Sequence, residues 1–396
     1  MTIAVEIVSD PSRLSEIGDI CDRLVQRHSE NPFLLAAFIE QYMERARILG
    51  WTPLVLLISV DQTVVGIVPL MTRKKFGIRQ ARMLPPFYFS DFVCADAYRE
   101  AVASETISIL FSRLHCQLVS FVFRTESPFL KLIECECSKR GIRLCYSTSL
   151  HGPWTGDGAA ILHLRGSWDE FVKSKGKKFR GDIRRTERYL SAVGQWRIVH
   201  LGQGPDEQRE ALYRMTHVDR MSWKWFDRNN QIKREHISKE QSAQFWDDLM
   251  LIVWRASLQS SARNTSSVTW YFYFLQLDRQ SIAYVFVVEF NGIIFPVFTS
   301  YDREYSRFGP SIYLINMLIR DALERGAVTK IDFLTDLPFM RTWTSVSVNR
   351  VTLIMAPHRG LTAVIPLLYP RGIRRVYESI TSLTIRFPII MKRWFR

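Results

Sequence analysis

The stretch Thr299-Ser-Tyr-Asp-Arg-Glu-Tyr-Ser-Arg-Phe-Gly-Pro-Ser311 joins a β-branched and aromatic run, Ile293–Tyr301, to a run of helical period, Ile312–Arg325. Arg307, Gly309 and Ser311 fall at the start of that helix, where unpaired backbone N–H groups, the positive end of the helix dipole and a cationic side chain converge. Gly309 lets the backbone approach a ligand closely, Pro310 is preset for the first turn, and Ser311 can cap. This corner suits a diphosphate, with Arg307, Phe308, Gly309, Pro310 and Ser311 as its binding residues. The same letters also make an ordinary strand-to-helix turn that uses Gly and Pro for shape alone, because Arg-x-Gly-x-Ser is less specific than a Walker loop.

Working outward, Thr269–Leu277, Ser281–Phe290 and Ile293–Tyr301 read as three strands split by Asp278-Arg279 and Asn291-Gly292, the second pair a type I′ turn signal. The helix Ile312–Arg325 ends at Gly326, and Lys330–Leu334 is a further strand. The first half follows the same plan. Pro53–Ser59 and Val64–Met71 read as strands joined at Asp61-Gln62, followed by a helix near Glu100–Leu114, a strand at Leu118–Phe123 and a helix around Pro128–Arg140 closed by Gly141. Antiparallel meander, helix, strand is an α+β layout in which a helix covers a mixed sheet. The expected fold is α+β with two lobes, each a mixed, mostly antiparallel sheet flanked by helices. The lobes are expected over 1–150 and 151–360, the second including a more helical connector, Ser167–Ser261.

Composition excludes several classes. The chain has 396 residues, 47% hydrophobic and 23% charged, so it is neither disordered nor collagenous. Its N-terminus meets Asp10 early and lacks the basic start and apolar run of a signal peptide, and no apolar run approaches a membrane span. A cytoplasmic protein is the expectation. The six cysteines form no CxxC and no Cys/His grouping with zinc spacing, so no metal site is expected.

Charge is concentrated. The net charge is +14, and Lys173–Arg188 supplies six of it, eight cations against Asp182 and Glu187. Phe171, Phe179, Ile183 and Leu190 recur near helical spacing there, predicting an amphipathic helix with one apolar stripe and one cationic face. Three anions compete for that face: the phosphates of a nucleotide-bearing cofactor, an acidic acceptor, or a tRNA. A solvated basic face without a ligand is the plain alternative. The tail 361–396 ends in Met391-Lys-Arg-Trp-Phe-Arg396, a mixture that suits peripheral contact with an anionic membrane at its inner surface or a helix docked on the body.

Together with the strand Lys330-Ile-Asp-Phe-Leu334 and Trp343, the corner resembles the second half of the CelD/BcsL-type acetyltransferases of the GNAT superfamily, relatives of the Fem-type aminoacyl transferases of peptidoglycan cross-bridges. Asn31-Pro-Phe33 at a helix start, Val65–Leu70, Ser90-Asp-Phe92, Lys173–Leu190 and Ser222-Trp-Lys224 agree with it, over roughly residues 30 to 355 in the expected order. The resemblance implies two GNAT-like lobes and direct transfer of an acyl group from acyl-CoA, most simply acetyl-CoA, to an amine or hydroxyl of an envelope, polysaccharide or small-molecule precursor, without a metal. The family's Q/R-x-x-G-x-G/A turn holds the coenzyme pyrophosphate, and Arg307, Gly309 and Ser311 fall on that region in a looser spacing. The sequence departs from the family at Thr335–Arg341, where an acidic pair and Tyr-Lys are usual; Leu337 excludes a catalytic carboxylate at that position.

Such transfer needs a base for the acceptor, donors for the thioester oxygen and an acid for the departing thiolate. Asp332 and Asp336, at the exit of the strand, and Glu289 are candidate bases; Tyr301 and Tyr305 are candidate acids; His217 is a candidate base or acceptor contact. Lys177, Lys178, Arg180, Arg184, Trp223, Lys224, Arg341 and Trp343 are the expected acceptor contacts. Two rival readings remain open: an aminoacyl-tRNA donor, as in the Fem relatives, and a non-catalytic GNAT-fold module that binds an anionic polymer or membrane.

Overall fold

Asn291 and Gly292 both adopt positive φ, 49° and 71°, so the Asn-Gly pair forms a turn whose twist matches the strands it joins. That hairpin is the centre of one of two sheets in the computed structural model, which describes residues 2–75, 77–84, 91–147, 158–202, 204–222, 255–256 and 268–358. The described residues fall into two compact units. One draws on Met1–Asp10, Met43–Gly152 and Asn349–Arg396, the other on Pro11–Tyr42 and Pro153–Val348.

The first unit contains β1 (Ile3–Val8), β2 (Thr52–Val60), β3 (Thr63–Lys75), β4 (Ile78–Met83), β5 (Val93–Cys94), β6 (Leu118–Arg124) and β7 (Ile142–Ser147). Pairing runs β1-β2-β3-β4-β6, with β5 on β3, and is antiparallel except for the short parallel match of β4 with β6. The β2–β3 hairpin turns at Asp61-Gln62, both at positive φ, as the sequence predicts. The helices α4 (Arg99–Ser108) and α5 (Phe129–Lys139) cover one face of this sheet. The helix expected to reach Leu114 instead changes to a π-turn at Ile109–Arg113. Contact with the sheet is close at Gly66, where a Cβ would come within 2.5 Å of a Val102 methyl.

Asp91 sits beside this core and carries a testable consequence. Burial pushes its carboxyl up to about 7, against the lowering pull of the Phe92 amide, the Ser127 hydroxyl, and the Arg124 and Arg99 charges. The native state therefore holds a proton that the unfolded chain releases near pH ~4, and the stability this group contributes is lost as pH rises through about 7. Asp91→Asn keeps an oxygen acceptor and cannot ionise. Its melting temperature should exceed that of the wild type by a margin that grows between pH 5 and pH 8, which a pH series of thermal melts will read; a constant margin would contradict this account.

The second unit orders its strands β8 (Gly158–His163), β13 (Lys330–Asp332), β12 (Ile293–Tyr301), β11 (Gln280–Phe290), β10 (Val268–Leu277) and β9 (Trp196–Leu201), all antiparallel except β12 with β13. The helix α9 (Pro310–Arg325) lays Leu314, Leu318 and Ile319 on the face formed by Val285, Val287, Ile294 and Ile331. On the same side lie α6 (Trp168–Ser174), closed by a Ser167–Glu170 capping box, and α7 (Lys177–Val193), whose Phe179 and Leu190 are buried. The opposite face holds α8 (Pro205–Met221), where Asp219 accepts from the Tyr284 hydroxyl at 2.9 Å. Asn31 caps the turn Pro32–Leu34 through the Phe33 amide, and Phe33 meets Phe295 edge-on at 6.1 Å. Both sheets are thus mixed, mostly antiparallel and helix-flanked. The remaining strand, β14 (Ser347–Pro357), pairs with β6 and β7.

Candidate functional site

The corner Thr299–Ser311 is built as a left-handed glycine in front of a long helix. Strand β12 ends at Tyr301, Asp302 caps a 3-10 turn over Arg303–Phe308 through the Glu304 amide at 3.0 Å, and Gly309 follows at φ 60°, ψ 47°. A Cβ on Gly309 would meet nothing within 4 Å, so the space in front of it is open and the residue is required by its backbone alone. Among the described residues no side chain caps α9, and Pro310 has no N–H, which leaves the amides of Ser311 and Ile312 directed out of the first turn. The Ser311 hydroxyl is buried and has no hydrogen-bond partner among the described residues. Arg307 is exposed, its guanidinium over the Phe308 ring at 4.6 Å.

The cationic helix is fastened to this corner by its inner stripe. The Thr186 hydroxyl donates to the Phe308 carbonyl at 3.0 Å, the Tyr313 hydroxyl donates to Glu187 at 3.3 Å, and Tyr189 lies 5.6 Å from the Phe308 ring. The outer face then carries Lys177, Lys178, Arg184 and Arg188, all exposed, with Arg180 half-buried. Among the described residues none of these five has a carboxylate partner, whereas Arg185 pairs with Asp182 at 2.6 Å. Lys175 belongs to the structure: its ammonium donates to the Trp343 carbonyl at 2.5 Å, lies 4.8 Å from the Phe171 ring, and burial lowers its pKa.

Below the corner the sheet opens. The parallel strands β12 and β13 pair only at Ile293 with Lys330 and Ile294 with Ile331. Strand β13 then continues on β8, with Asp332 opposite Ile161. From Phe295 to Tyr301 this edge of β12 meets no strand among the described residues, and a bulge at Val297 bends it. A strand edge can offer alternating N–H and C=O groups to an extended ligand, and this one leads to Gly309.

The expected site residues separate into groups. Tyr301 is half-buried at the upper end of β12, and burial raises its phenol pKa. Tyr305 is raised by burial and then by the Asp302, Glu304 and Asp278 charges. Asp332 is 1% exposed, and its carboxylate accepts from the Leu334 amide at 2.9 Å; Asp336 is half-buried just beyond. His217 is exposed on α8, and Arg341 is exposed on the turn after β13. Trp343 is fully buried in the core of this unit, stacked on Phe333 at 5.4 Å, and its indole donates to Asn316 at 2.7 Å. Glu289 is engaged by the Tyr271 hydroxyl and Arg325, both at 2.9 Å, at the far end of α9, about 22 Å from the corner at 1.5 Å per residue. Trp223, Lys224 and the tail 361–396 lie outside the described residues. Sequence reading missed the anchors Thr186 and Glu187, although polar residues within an apolar helical stripe signal such contacts.

Among the described residues, no group of three or more His, Cys, Asp or Glu could hold a metal, and no helix is long and apolar enough to cross a membrane. The second unit thus holds a mixed sheet whose two parallel strands pair only briefly, with a glycine-led helix start beyond them. Residues 177–339, from the first turn of α7 past the corner, match the model of the acetyltransferase (GNAT) domain, so the chain carries such a domain there. A conserved protein of unknown function from Bacteroides thetaiotaomicron has the same fold, with 10% identity, a TM-score of 0.51, and coverage of 89% of this chain and all of that one. The FemX crystal structure aligns at TM-score 0.48 and 11% identity over 89% of this chain and 97% of its own. A tandem GNAT protein from the clavulanic acid biosynthesis pathway aligns at 0.45 and 10% over 91% and 99%. No curated protein matches the sequence.

Proposed function

We propose that this protein is an acyl-CoA-dependent acyltransferase of the CelD/BcsL type, which transfers an acyl group, most simply acetyl, directly to an amine or hydroxyl of an envelope, polysaccharide or small-molecule precursor in the cytoplasm. The observation that carries this reading is the Ser311 hydroxyl, buried without a partner among the described residues beside the open face of Gly309. A buried hydroxyl left unpaired is costly, and a ligand oxygen would satisfy it. The Ser311 and Ile312 amides and Arg307 would share the diphosphate, and β12 beyond its pairing with β13 would receive the extended arm of the coenzyme and polarise the thioester oxygen. Tyr301 has its phenol raised by burial, so it is protonated at neutral pH and able to donate to a departing thiolate. Asp336, half-buried four residues beyond the end of β13, would take the acceptor's proton. Lys177, Lys178, Arg180 and Arg184 on α7, with Arg341, would gather an anionic acceptor or the coenzyme's outer phosphate.

Calorimetry tests this against its rivals. Acetyl-CoA is expected to bind, and Arg307→Glu to weaken it about tenfold or more, since it replaces a charge-assisted contact by repulsion. Binding of bulk tRNA with a steep salt dependence, and none of acetyl-CoA, would favour an aminoacyl-tRNA donor instead. Binding of neither would leave a non-catalytic module.

A further inference from the structure

Beside the corner, α7 carries an aromatic ring that a seat for phosphates does not need. Tyr189 is 47% exposed, yet its ring is set 5.6 Å from the Phe308 ring with the planes 44° apart. Phe308 is buried and immediately precedes Gly309. The half-buried Tyr305 lies 6.2 Å from the same ring, the Arg307 guanidinium lies 4.6 Å from it, and Ile312 is 41% exposed in the first turn of α9. A single exposed tyrosine needs no ligand in itself, since isolated apolar groups are common on surfaces. This one is held in place. The Thr186 hydroxyl, three residues before it, donates to the Phe308 carbonyl at 3.0 Å, and Glu187 accepts from the Tyr313 hydroxyl at 3.3 Å. Phosphates are recognised by N–H groups and cations and give no reason for apolar side chains beside their seat. A purine base gives one, because it presents a flat π face on which an aromatic ring stacks.

We infer that Tyr189 is a binding residue for the adenine base of the donor: its ring stacks on the base while the Gly309 corner holds the diphosphate, so the coenzyme is recognised at its nucleotide end as well as along its arm. This rests on the function proposed above and deepens it. The contact with Phe308 ties the base seat to the residue in front of Gly309, so that the two seats keep a fixed spacing. Phenylalanine at 189 presents the same π face, leucine only an apolar surface against Phe308, and alanine neither.

The experiment uses the full chain and the variants Tyr189→Phe, Tyr189→Leu and Tyr189→Ala. Calorimetry is run with acetyl-CoA, with ADP and with acetyl-4′-phosphopantetheine, which lacks the adenosine. A base stacked on an aromatic side chain adds about 5- to 100-fold in affinity, so Tyr189→Leu and Tyr189→Ala are expected to lose that factor for acetyl-CoA and for ADP. Tyr189→Phe should stay within about threefold of the wild type for both, because the ring remains. All four proteins should bind acetyl-4′-phosphopantetheine alike. Wild-type affinity for acetyl-CoA in Tyr189→Leu would overturn the inference. So would an equal loss for acetyl-4′-phosphopantetheine, which would make Tyr189 a support of the corner, or a loss in Tyr189→Phe as large as in Tyr189→Ala, which would assign the role to the hydroxyl. Tyr189→Leu keeps an apolar contact with Phe308, so it decides if thermal melts show that Tyr189→Ala does not fold. A wild type that binds acetyl-CoA no better than the adenosine-free compound overturns the inference and leaves the proposed function standing. A wild type that binds none of the three ends the proposed function, and the inference with it.

Discussion

Gly309→Val is expected to lower acetyl-CoA affinity by about 100-fold or more while leaving the protein folded. Gly309 is at φ 60° and ψ 47°, a conformation that costs an L-residue about 1–2 kcal/mol and a β-branched one more. No atom of the described residues lies within 4 Å of the added Cβ, so the damage is confined to the corner. Either the valine keeps the backbone in place and fills the open space where a diphosphate would approach, or the backbone relaxes and turns the Ser311 and Ile312 amides away. Two charge-assisted hydrogen bonds are worth about 1.5–3 kcal/mol each, and tenfold in affinity corresponds to about 1.4 kcal/mol, which gives the hundredfold figure. Gly309→Ala should fall between wild type and valine. Calorimetry reads the affinities, and a thermal melt checks that the helix is intact. Wild-type affinity in Gly309→Val would mean that the diphosphate sits elsewhere.

Local chemistry made part of this architecture readable. The β11–β12 hairpin announces itself through Asn291-Gly292, and α9 through Gly309-Pro310 before it and Gly326 after it, because each of those residues meets a conformational demand within a few positions. Asp332 shows the limit. Its alternation with Ile331 and Phe333 turns it away from the α9 face, yet it is buried to 1% exposure. Its burial depends on the opposite face of the sheet, where Phe33 meets Phe295 and Glu30 pairs with Lys330 at 2.5 Å, a contact spanning 300 residues. Strand β9 shows the same limit. Its six residues lie in a stretch of helical character, and only the long pairing with β10 makes them a strand. The corner could be read as letters, whereas the opening beside it could not, because it is defined by where pairing between β12 and β13 ceases.

Trp343 was expected among the acceptor contacts, and its placement instead yields the largest stability effect foreseen for a single change. The indole is 0% exposed, stacks on Phe333 with planes 16° apart, and donates to Asn316 on α9. Truncating a buried tryptophan to alanine costs about 3–5 kcal/mol, and the stranded Asn316 oxygen adds about 1–3 kcal/mol, so Trp343→Ala should lose about 5 kcal/mol or more. Against a total of about 5–15 kcal/mol that brings the chain to the margin of folding. Trp343→Phe keeps a ring against Phe333 and loses only the N–H, for about 1–3 kcal/mol. Pairing it with Asn316→Leu removes both partners together, and a double-mutant cycle should recover part of that loss as coupling. Urea unfolding measures the wild type and the four variants Trp343→Ala, Trp343→Phe, Asn316→Leu and the double. Because the ring touches no solvent, Trp343→Phe should bind acetyl-CoA as the wild type does; a large loss of affinity with little loss of stability would return Trp343 to the ligand and remove it from the core.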